Sequence, residues 1–335
     1  MIYYRVITLL FLSLSVSCSS ISSYKIINKE GFEEGQEITE QSKFLISSMA
    51  NASRKLHDIA WPIMISNLDS CQNSKINAFG LMIAHLEDIP SSLASSFYAA
   101  SPINSLINSK ADLPMIVSVA KDSPADRAKI IEGDLIISIN NSIVSYKNYK
   151  RLLDDAAKKG SLKIRIKRLE EEIIYELESE LICGYPVQAM ISPIPNAYAD
   201  GSKIYITIAT LDFVKDDQEI AFLIAHELAH NIHHYKGEAL YESQGNPLAI
   251  EEKPSLQKIT DLLIFQTEEK ETEADLYGVE FAIKAGIAQD KVANYFRRLT
   301  IYMPQLMKNS FFRMHPGNAK RVADIERKLK ELNSN

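Results

Sequence analysis

The chain reads EIAFLIAHELAH from residue 219 to residue 230, and this stretch decides the fold around it. Residues four apart lie on one face of an α-helix, so the imidazoles of His226 and His230 can both reach one metal ion. Zinc accepts two neutral imidazoles and a carboxylate and keeps a fourth position for water, whose pKa it lowers from about 16 to about 7. Glu227 lies beside the first histidine and could deprotonate that water. The stretch therefore predicts metal-assisted hydrolysis, most often of peptide bonds.

The same HExxH pattern can arise by chance on an exposed helix. Two features argue against chance here. The preceding residues are apolar, so the helix should be buried and its histidines need a reason to be there. Asp216, Asp217 and Glu219 lie where the helix begins, and negative charge suits that end of the helix dipole.

The third ligand must come from further along the chain. The tenth residue after His226 is Lys236, where a metzincin would carry a third histidine, and this excludes that class. His233 lies about 10 Å further along the axis than His226, too far to share one ion. We interpret His233 and His234 as packing or cleft-rim residues.

Two acidic segments could supply a carboxylate ligand. Glu251 and Glu252 lie at a suitable distance, but prolines and a glycine predict a loop there. Glu271 opens a second amphipathic helix and shares a face with Asp275, which could accept a hydrogen bond from a ligating imidazole. A solvated acidic face explains residues 268–273 equally well, so the spacing alone leaves both interpretations open.

HELAH followed some forty residues later by E-x-x-A-D resembles the HtpX and CAAX prenyl endopeptidase family of gluzincin metallopeptidases. Residues 196–199, NAYA, are similar to the N-A-x-A segment of that family, and His315-Pro316 is similar to its C-terminal H-P element. The resemblance covers about Gly184 to the C-terminus. Because the membrane spans of the integral-membrane members are missing, the chain is most similar to the soluble, periplasmic branch.

The resemblance implies a role for each matching position. The implied ligands of one zinc ion per chain are His226, His230 and Glu271. Glu227 would be the general base, and Asp275 would support a ligating histidine. His315 would either stabilise the oxyanion or cap the zinc in a resting state, and Arg321 would lie near the site.

Residues 204–210, IYITIAT, alternate as a strand does and follow a turn signal at Asp200-Gly201. The resemblance implies that a strand beside the zinc helix holds an extended substrate by backbone pairing. We therefore expect extended, preferably unfolded, protein substrates. A plain sheet strand is compatible with the same pattern.

Residues 1–18 have the features of a bacterial export signal. Arg5 precedes an apolar run that is too short for a comfortable transmembrane helix. The run ends in LSVSC at Cys18, which resembles a lipoprotein box, although Ser15 stands where Leu is usual. Ser19 after it favours the outer membrane over the inner membrane. The prediction is a periplasmic protein that contacts the membrane through a lipid anchor only; an ordinary cleaved signal peptide is the alternative.

Cys71 and Cys183 remain when Cys18 is set aside, and an even pair suits an oxidising compartment. A disulfide between them and two buried free thiols are both compatible with the sequence.

Residues 123–140 resemble part of a bacterial PDZ domain. SPADRAKI at 123–130 predicts a short helix with Pro in its first turn, and a half-buried strand is expected at 135–140. A groove helix is expected at 149–157 and a closing strand at 161–168. A PDZ groove holds a C-terminal peptide by backbone N–H groups.

Two departures from the PDZ pattern leave peptide binding open. Lys129 stands where such domains usually carry Gly. The loop at 110–114, before the expected groove strand, has no Gly, and Pro114 lacks an N–H. A C-terminal peptide in the PDZ-like groove and a purely structural or regulatory module are therefore both compatible with the sequence.

The whole sequence predicts an α+β chain, with a helical zincin-type metallopeptidase domain, its small β-sheet, and an inserted β-rich PDZ-like domain. The expected divisions are 1–18 signal peptide and lipobox, 19–76 tether and N-terminal helices, 77–181 PDZ-like domain and 182–335 zinc metallopeptidase domain. We expect an envelope zinc endopeptidase that hydrolyses extended or misfolded proteins in protein quality control. The alternative is a PDZ-containing binding or chaperone-like envelope factor with a latent zinc site. A net charge of −6 without a basic tract argues against nucleic acid as a partner.

Overall fold

The computed structural model describes residues 30–72, 74–103, 112–235, 237–250, 267–302 and 319–334. The chain divides into two units, residues 1–41 and residues 42–335. The first unit contains the described beginning of a long helix, and all strands of the described residues lie in the second. Among the helices of these described ranges, none is both long enough and apolar enough to cross a membrane.

The first half of the chain forms one long helix and a β-rich module. Its elements are α1 (Glu30–Ser66), β1 (Lys75–Ala78), β2 (Leu81–Ala84), β3 (Met115–Val119), α2 (Pro124–Arg127), β4 (Leu135–Ile139), β5 (Ser142–Ile143), α3 (Tyr149–Lys159), β6 (Ser161–Arg168), β7 (Glu171–Glu178) and β8 (Glu180–Cys183). The predicted helix at 149–157 and the strands at 135–140 and 161–168 are confirmed. Pro62 lies within one turn of the end of α1, and a single helix runs through it.

The β-rich module has an antiparallel sheet and a core of its own. Its strands pair in the order β2-β3-β4-β6-β7, with β5 beside β4. Tyr149, Leu152 and Leu153 of α3 and Ala125 of α2 are buried against this sheet. Ser123 caps α2 by accepting the N–H of Asp126, as the SPAD sequence predicts.

Among the described strands of this sheet, β2 and β7 lie at the two edges, whereas β3 is paired on both sides, with β2 and with β4. The prediction that the loop at 110–114 leads into the groove strand is therefore wrong. The loop before the edge strand lies between β1 and β2 and contains Gly80 at φ +80°, which favours glycine. Lys129, where such modules usually carry glycine, has φ +68°.

The module leaves and rejoins the rest of the chain through one pair of strands. β1 and β8 are antiparallel, with Lys75 opposite Cys183. A disulfide joins Cys71 to Cys183 at this base. Of the two alternatives that the sequence left open, the structure therefore has the disulfide.

The second half of the chain is mostly helical. Its elements are β9 (Val187–Met190), β10 (Ala197–Ala199), β11 (Ile204–Thr207), α4 (Ile208–Phe213), α5 (Asp217–Ala229), α6 (Glu268–Lys284), α7 (Val292–Tyr302) and α8 (Ala319–Asn333). A π-helical turn, His230–His234, continues α5. The strands form a small sheet in the order β10-β11-β9. The α+β class is as predicted.

The strand predicted at 204–210 is shorter and lies elsewhere in the sheet than expected. It ends at Thr207, whose side chain accepts the N–H of Thr210 and caps α4. β11 pairs with β10 on one side and with β9 on the other. The expectation that a substrate pairs with this strand is therefore wrong, because both of its edges are already used.

α6 packs closely across α5 at a glycine. A Cβ on Gly278 would lie 3.1 Å from both the N and the Cα of His226. Ala274, one turn earlier in α6, is also fully buried. The two helices can approach this closely because neither position carries a large side chain.

We expect Gly278→Val to lower the free energy of unfolding by about 1–3 kcal/mol, because the added methyl groups meet a buried backbone that cannot move away. Urea denaturation followed by circular dichroism measures the change. Gly35→Val is the matched control, since Gly35 is also helical and no atom lies within 4 Å of its added Cβ. Equal midpoints for the two variants would contradict this account of the packing.

Replacing Cys71 and Cys183 by serine should lower the free energy of unfolding by about 2–5 kcal/mol. The cross-link joins residues 112 positions apart, so its loss returns much conformational entropy to the unfolded chain. Urea titration of the wild type with and without reductant tests the same effect without a mutation. An unchanged midpoint on reduction would show that the disulfide does not stabilise the fold.

Candidate metal centre

His226 lies in the last turn of the buried helix α5, and His230 follows directly after it. Asp216 caps the helix by accepting the N–H of Gln218, and residues 219–229 are all buried. The two imidazoles face each other, with 3.1 Å between their Nε2 atoms. The four-residue spacing therefore places both Nε2 atoms at one point, as the helix period requires.

Helix α6 brings two carboxylates to these imidazoles. The Glu271 oxygens lie 3.5 Å from Nε2 of His226 and 3.4 Å from Nε2 of His230. One turn further on, Asp275 Oδ1 lies 3.0 Å from Nδ1 of His226. Both carboxylates are buried, so this part of α6 is not a solvated acidic face. The other candidates, Glu251 and Glu252, lie outside the described residues.

Arg321, from helix α8, contacts both carboxylates of α6. Its Nε and Nη2 atoms donate to the two oxygens of Asp275 at 2.6 Å each, and its Nη1 lies 3.3 Å from Glu271. Burial by itself would raise the pKa of Asp275, but the charge and hydrogen bonds of Arg321 outweigh it and lower that pKa. Asp275 is therefore held as a carboxylate that can accept from Nδ1 of His226.

The donor set fits a single zinc ion. In a tetrahedron with bonds of 2.0–2.2 Å, ligand atoms lie about 3.3–3.6 Å from one another. The two imidazole Nε2 atoms lie 3.1 Å apart, and each lies 3.4–3.5 Å from a different oxygen of Glu271. One donor atom from each of the three residues lies within 4.8 Å of the other two. Asp275 engages Nδ1 of His226 and leaves Nε2 of that ring to face the shared point.

The charges of the cluster also favour a divalent cation. Glu227, Glu271 and Asp275 bring three buried carboxylates together. Arg321 supplies one positive charge against them, and a divalent ion would balance the other two. Burial by itself lowers the pKa of His226, but hydrogen bonds to Asp275 and Glu271 outweigh it and raise that pKa to about 10. The site is therefore one that stabilises positive charge.

The two further histidines lie at the edge of the cluster. The ring of His233 stacks on Tyr277 with centroids 4.2 Å apart, which is the packing role expected from the sequence. His234 lies with Nδ1 2.7 Å from Nδ1 of His230, and its Nε2 lies 3.1 Å from Glu273. His234 thus contacts the side of His230 that faces away from the shared point.

Glu227 and His226 line a cleft whose empty space, including part of the open solvent, is about 270 Å³. Ala197 of β10, Tyr295 of α7 and Arg321 also line it. Burial raises the pKa of Tyr295, so its hydroxyl remains a hydrogen-bond donor. The cleft therefore contains a carboxylate, a hydroxyl and the end of a strand within one small volume.

β10 is fixed against the histidine helix through its turn to β11. Asn231, in the π-helical turn, accepts the N–H of Gly201 at 2.8 Å and donates to the carbonyl of Lys203 at 3.1 Å. In the described part of this sheet, β10 pairs on one side only, with β11. The open edge that could pair with an extended chain therefore belongs to the NAYA segment.

Three of these residues were missed by the sequence reasoning. Gly278 could have been found, because it is seven residues after Glu271 and four after Ala274 and so shares their helix face. Asn231 and Tyr295 gave no local signal, because their partners are distant in sequence. His315 lies outside the described residues, and its role stays a prediction.

Comparison with known proteins gives two family matches. Peptidase family M48 matches residues 157–252 and 251–329, which together make just over half of the chain. The PDZ domain family matches residues 115–168. No curated protein matches the chain.

Two solved structures are 20% identical to parts of the chain, each with a TM-score of 0.25. One is the HtrA-type protease AlgW with a decapeptide, where the match covers 32% of this chain and 30% of that one. The other is the HtrA3 PDZ domain bound to a phage-derived ligand, with 33% of this chain and 92% of that one covered. The chain thus spans under a third of AlgW. On the family matches, the chain belongs to Peptidase family M48, a family of metallopeptidases, and carries a PDZ domain.

Proposed function

We propose that the chain is a zinc-dependent endopeptidase in which His226, His230 and Glu271 hold one zinc ion. The observation that carries this proposal is the convergence of their three donor groups at 3.1–3.5 Å from one another. Glu227 lies beside this point and lines a cleft. A purely structural metal site needs no such carboxylate, so the cleft favours catalysis.

A bound zinc ion would supply a Lewis acid that acidifies water and polarises a carbonyl group. Glu227 then accepts a proton from the attacking water while the water oxygen bonds to the carbonyl carbon. The protonated Glu227 donates that proton to the amide nitrogen as the C–N bond breaks, which restores the carboxylate. Tyr295 lines the same cleft, and its hydroxyl could donate a hydrogen bond to the developing oxyanion.

Asp275 and Arg321 act on this chemistry through His226. A carboxylate at Nδ1 fixes the tautomer of a ligating imidazole and the plane of its ring. Arg321 fixes the carboxylate in turn by two hydrogen bonds of 2.6 Å. These residues therefore position the ligand, and Arg321 also lines the cleft.

The substrate class follows from β10. Asn196 and Ala197 line the cleft, and β10 pairs on one side only within the described sheet. An extended peptide could pair with its other side through main-chain hydrogen bonds. Backbone pairing has little sequence preference and requires an unfolded segment. We propose unfolded or misfolded proteins as substrates.

Glu227→Gln should lower the rate of hydrolysis of reduced, unfolded casein by about 10²–10⁴-fold, because the proton acceptor is lost. The zinc content, measured by mass spectrometry, should stay near one per chain, whereas His226→Ala should lose both zinc and activity. Glu269→Gln removes the same charge from an exposed position on α6 and is the matched control. A folded protein should be cleaved far more slowly than its denatured form.

Casein turnover that persists in Glu227→Gln would remove the assigned base. A wild type that binds zinc but cleaves no protein would instead support the binding or chaperone-like alternative. Equal cleavage of folded and denatured substrate would contradict recognition through β10 and leave the zinc chemistry intact.

We propose that the protein acts in the bacterial envelope, held to the outer membrane by a lipid on Cys18. The basis is the predicted export signal of residues 1–18, which lie outside the described residues. The disulfide, which suits an oxidising compartment, supports the same location. Cys18→Ser should release the protein from the membrane fraction into the soluble periplasm on fractionation. A wild type without lipid on Cys18 by mass spectrometry would contradict the anchor.

A further inference from the structure

A carboxylate of the metallopeptidase part is bound by the backbone of the PDZ domain. One oxygen of Glu242 accepts the N–H groups of Phe79 at 2.8 Å and Gly80 at 2.6 Å. The other oxygen lies 3.4 Å from the N–H of Leu81. Three successive backbone donors of the β1–β2 loop therefore converge on one carboxylate.

This loop stands where a PDZ domain binds the end of a peptide. It precedes the edge strand β2, and helix α3 lies across from that strand in the same domain. A PDZ groove captures a C-terminal carboxylate by backbone N–H groups. Gly80 is required in the loop, because its φ is +80° and a Cβ there would collide with Ser123. The side chain of Glu242 thus takes the position of a peptide terminus.

The neighbours of Glu242 also lie against the groove. Residues Glu242–Gln244 form a short 3-10 turn that contacts both β2 and α3. Ser243 and Gln244 hydrogen-bond to Asp154 of α3. The ring of Tyr241 packs on the PDZ core and lies 5.6 Å below the ammonium of Lys158. The turn, and not the carboxylate alone, therefore fills this end of the groove.

We propose that Glu242 is an internal ligand of the PDZ domain and that a peptide with a free C-terminus competes with it for the β1–β2 loop. The π-helical turn ends at His234, and Glu242 lies only eight residues further along the chain. A peptide that displaces Glu242 would detach the turn at 242–244 from α3. This turn belongs to the segment that follows the histidine helix. Peptide binding at the PDZ domain is independent of the zinc chemistry.

Burial and the nearby carboxylate of Asp154 destabilise the ionised form of this internal ligand. Burial raises the pKa of Glu242 to about 7, although the three backbone N–H groups lower it. The fold thus holds the ionised side chain less well than water does. A terminal carboxylate that brings its own strand to β2 gains hydrogen bonds that the 3-10 turn of Glu242 does not make.

The test measures peptide binding to the full chain in a Glu227→Gln background, so that the probe is not cleaved. The probe is a pool of fluorescein-labelled hexapeptides, randomised at five positions and ending in valine with a free carboxylate. Fluorescence anisotropy should show an apparent Kd about tenfold or more lower for Glu242→Ala than for the parent, because the internal competitor is gone. Glu238→Ala, an exposed glutamate of the same segment, is the matched control and should not change the Kd. The same pool with C-terminal amides should lose binding to Glu242→Ala.

Hydrogen–deuterium exchange of the parent chain gives a second readout that does not depend on the folding of Glu242→Ala. Saturating peptide should speed exchange in residues 238–246 and slow it at residues 79–81. Equal affinity of parent and Glu242→Ala, or peptide binding without faster exchange in 238–246, would overturn the proposal. Loss of casein hydrolysis in a separate experiment would not affect either outcome.

Discussion

The buried charge cluster of two imidazoles and three carboxylates is the constraint on which the second half of the structure depends. Charges in a low-dielectric interior are tolerated only when they are paired and hydrogen-bonded. Helices α5, α6 and α8 must therefore meet at one place, since His226, Asp275 and Arg321 each come from a different one. Gly278 permits the close approach of α6 to α5, and Arg321 draws the last helix onto the same point. The same packing of these helices thus buries their apolar faces and sets the geometry of the site.

Within this cluster the carboxylates have different surroundings. Asp275 is fixed by Arg321 and faces an imidazole, while Glu271 lies between both histidines and the same guanidinium. Glu227 instead lines the cleft next to β10. In the proposed function Glu227 exchanges protons with a substrate and needs access, whereas a metal ligand and its supporting carboxylate need rigidity. Because successive residues on a helix point about 100° apart, His226 can face the buried carboxylates of α6 while Glu227, next to it in sequence, faces the cleft.

The sequence predicted what depends on local spacing and missed what depends on long-range pairing. The four-residue spacing of His226 and His230 and the shared face of Glu271 and Asp275 follow from the helix period alone. The PDZ elements 149–157 and 161–168 were also readable from turn residues and alternation. The edge positions of β2 and β10 were not, because strand order is set by pairing between distant segments. For that reason the sequence pattern places the PDZ groove strand at β3 and the proposed substrate strand at β11, both of which are paired on both sides.

The contact of Glu242 with the β1–β2 loop joins the two domains. As in the charge cluster, buried polar groups there are paired with a partner of opposite character. Backbone N–H groups that are taken from water must find an acceptor, and leaving them without one costs about 1–3 kcal/mol each. In a PDZ domain whose groove faces its own chain, an internal carboxylate satisfies the donors of Phe79 and Gly80. The loop is then never empty, and its two states differ in which carboxylate it holds. Exchange of one carboxylate for another conserves the hydrogen bonds of the loop. The free energy of the exchange therefore depends on the segment attached to each carboxylate. That segment is the turn at 242–244 in the internally bound state and a strand added to β2 in the peptide-bound state.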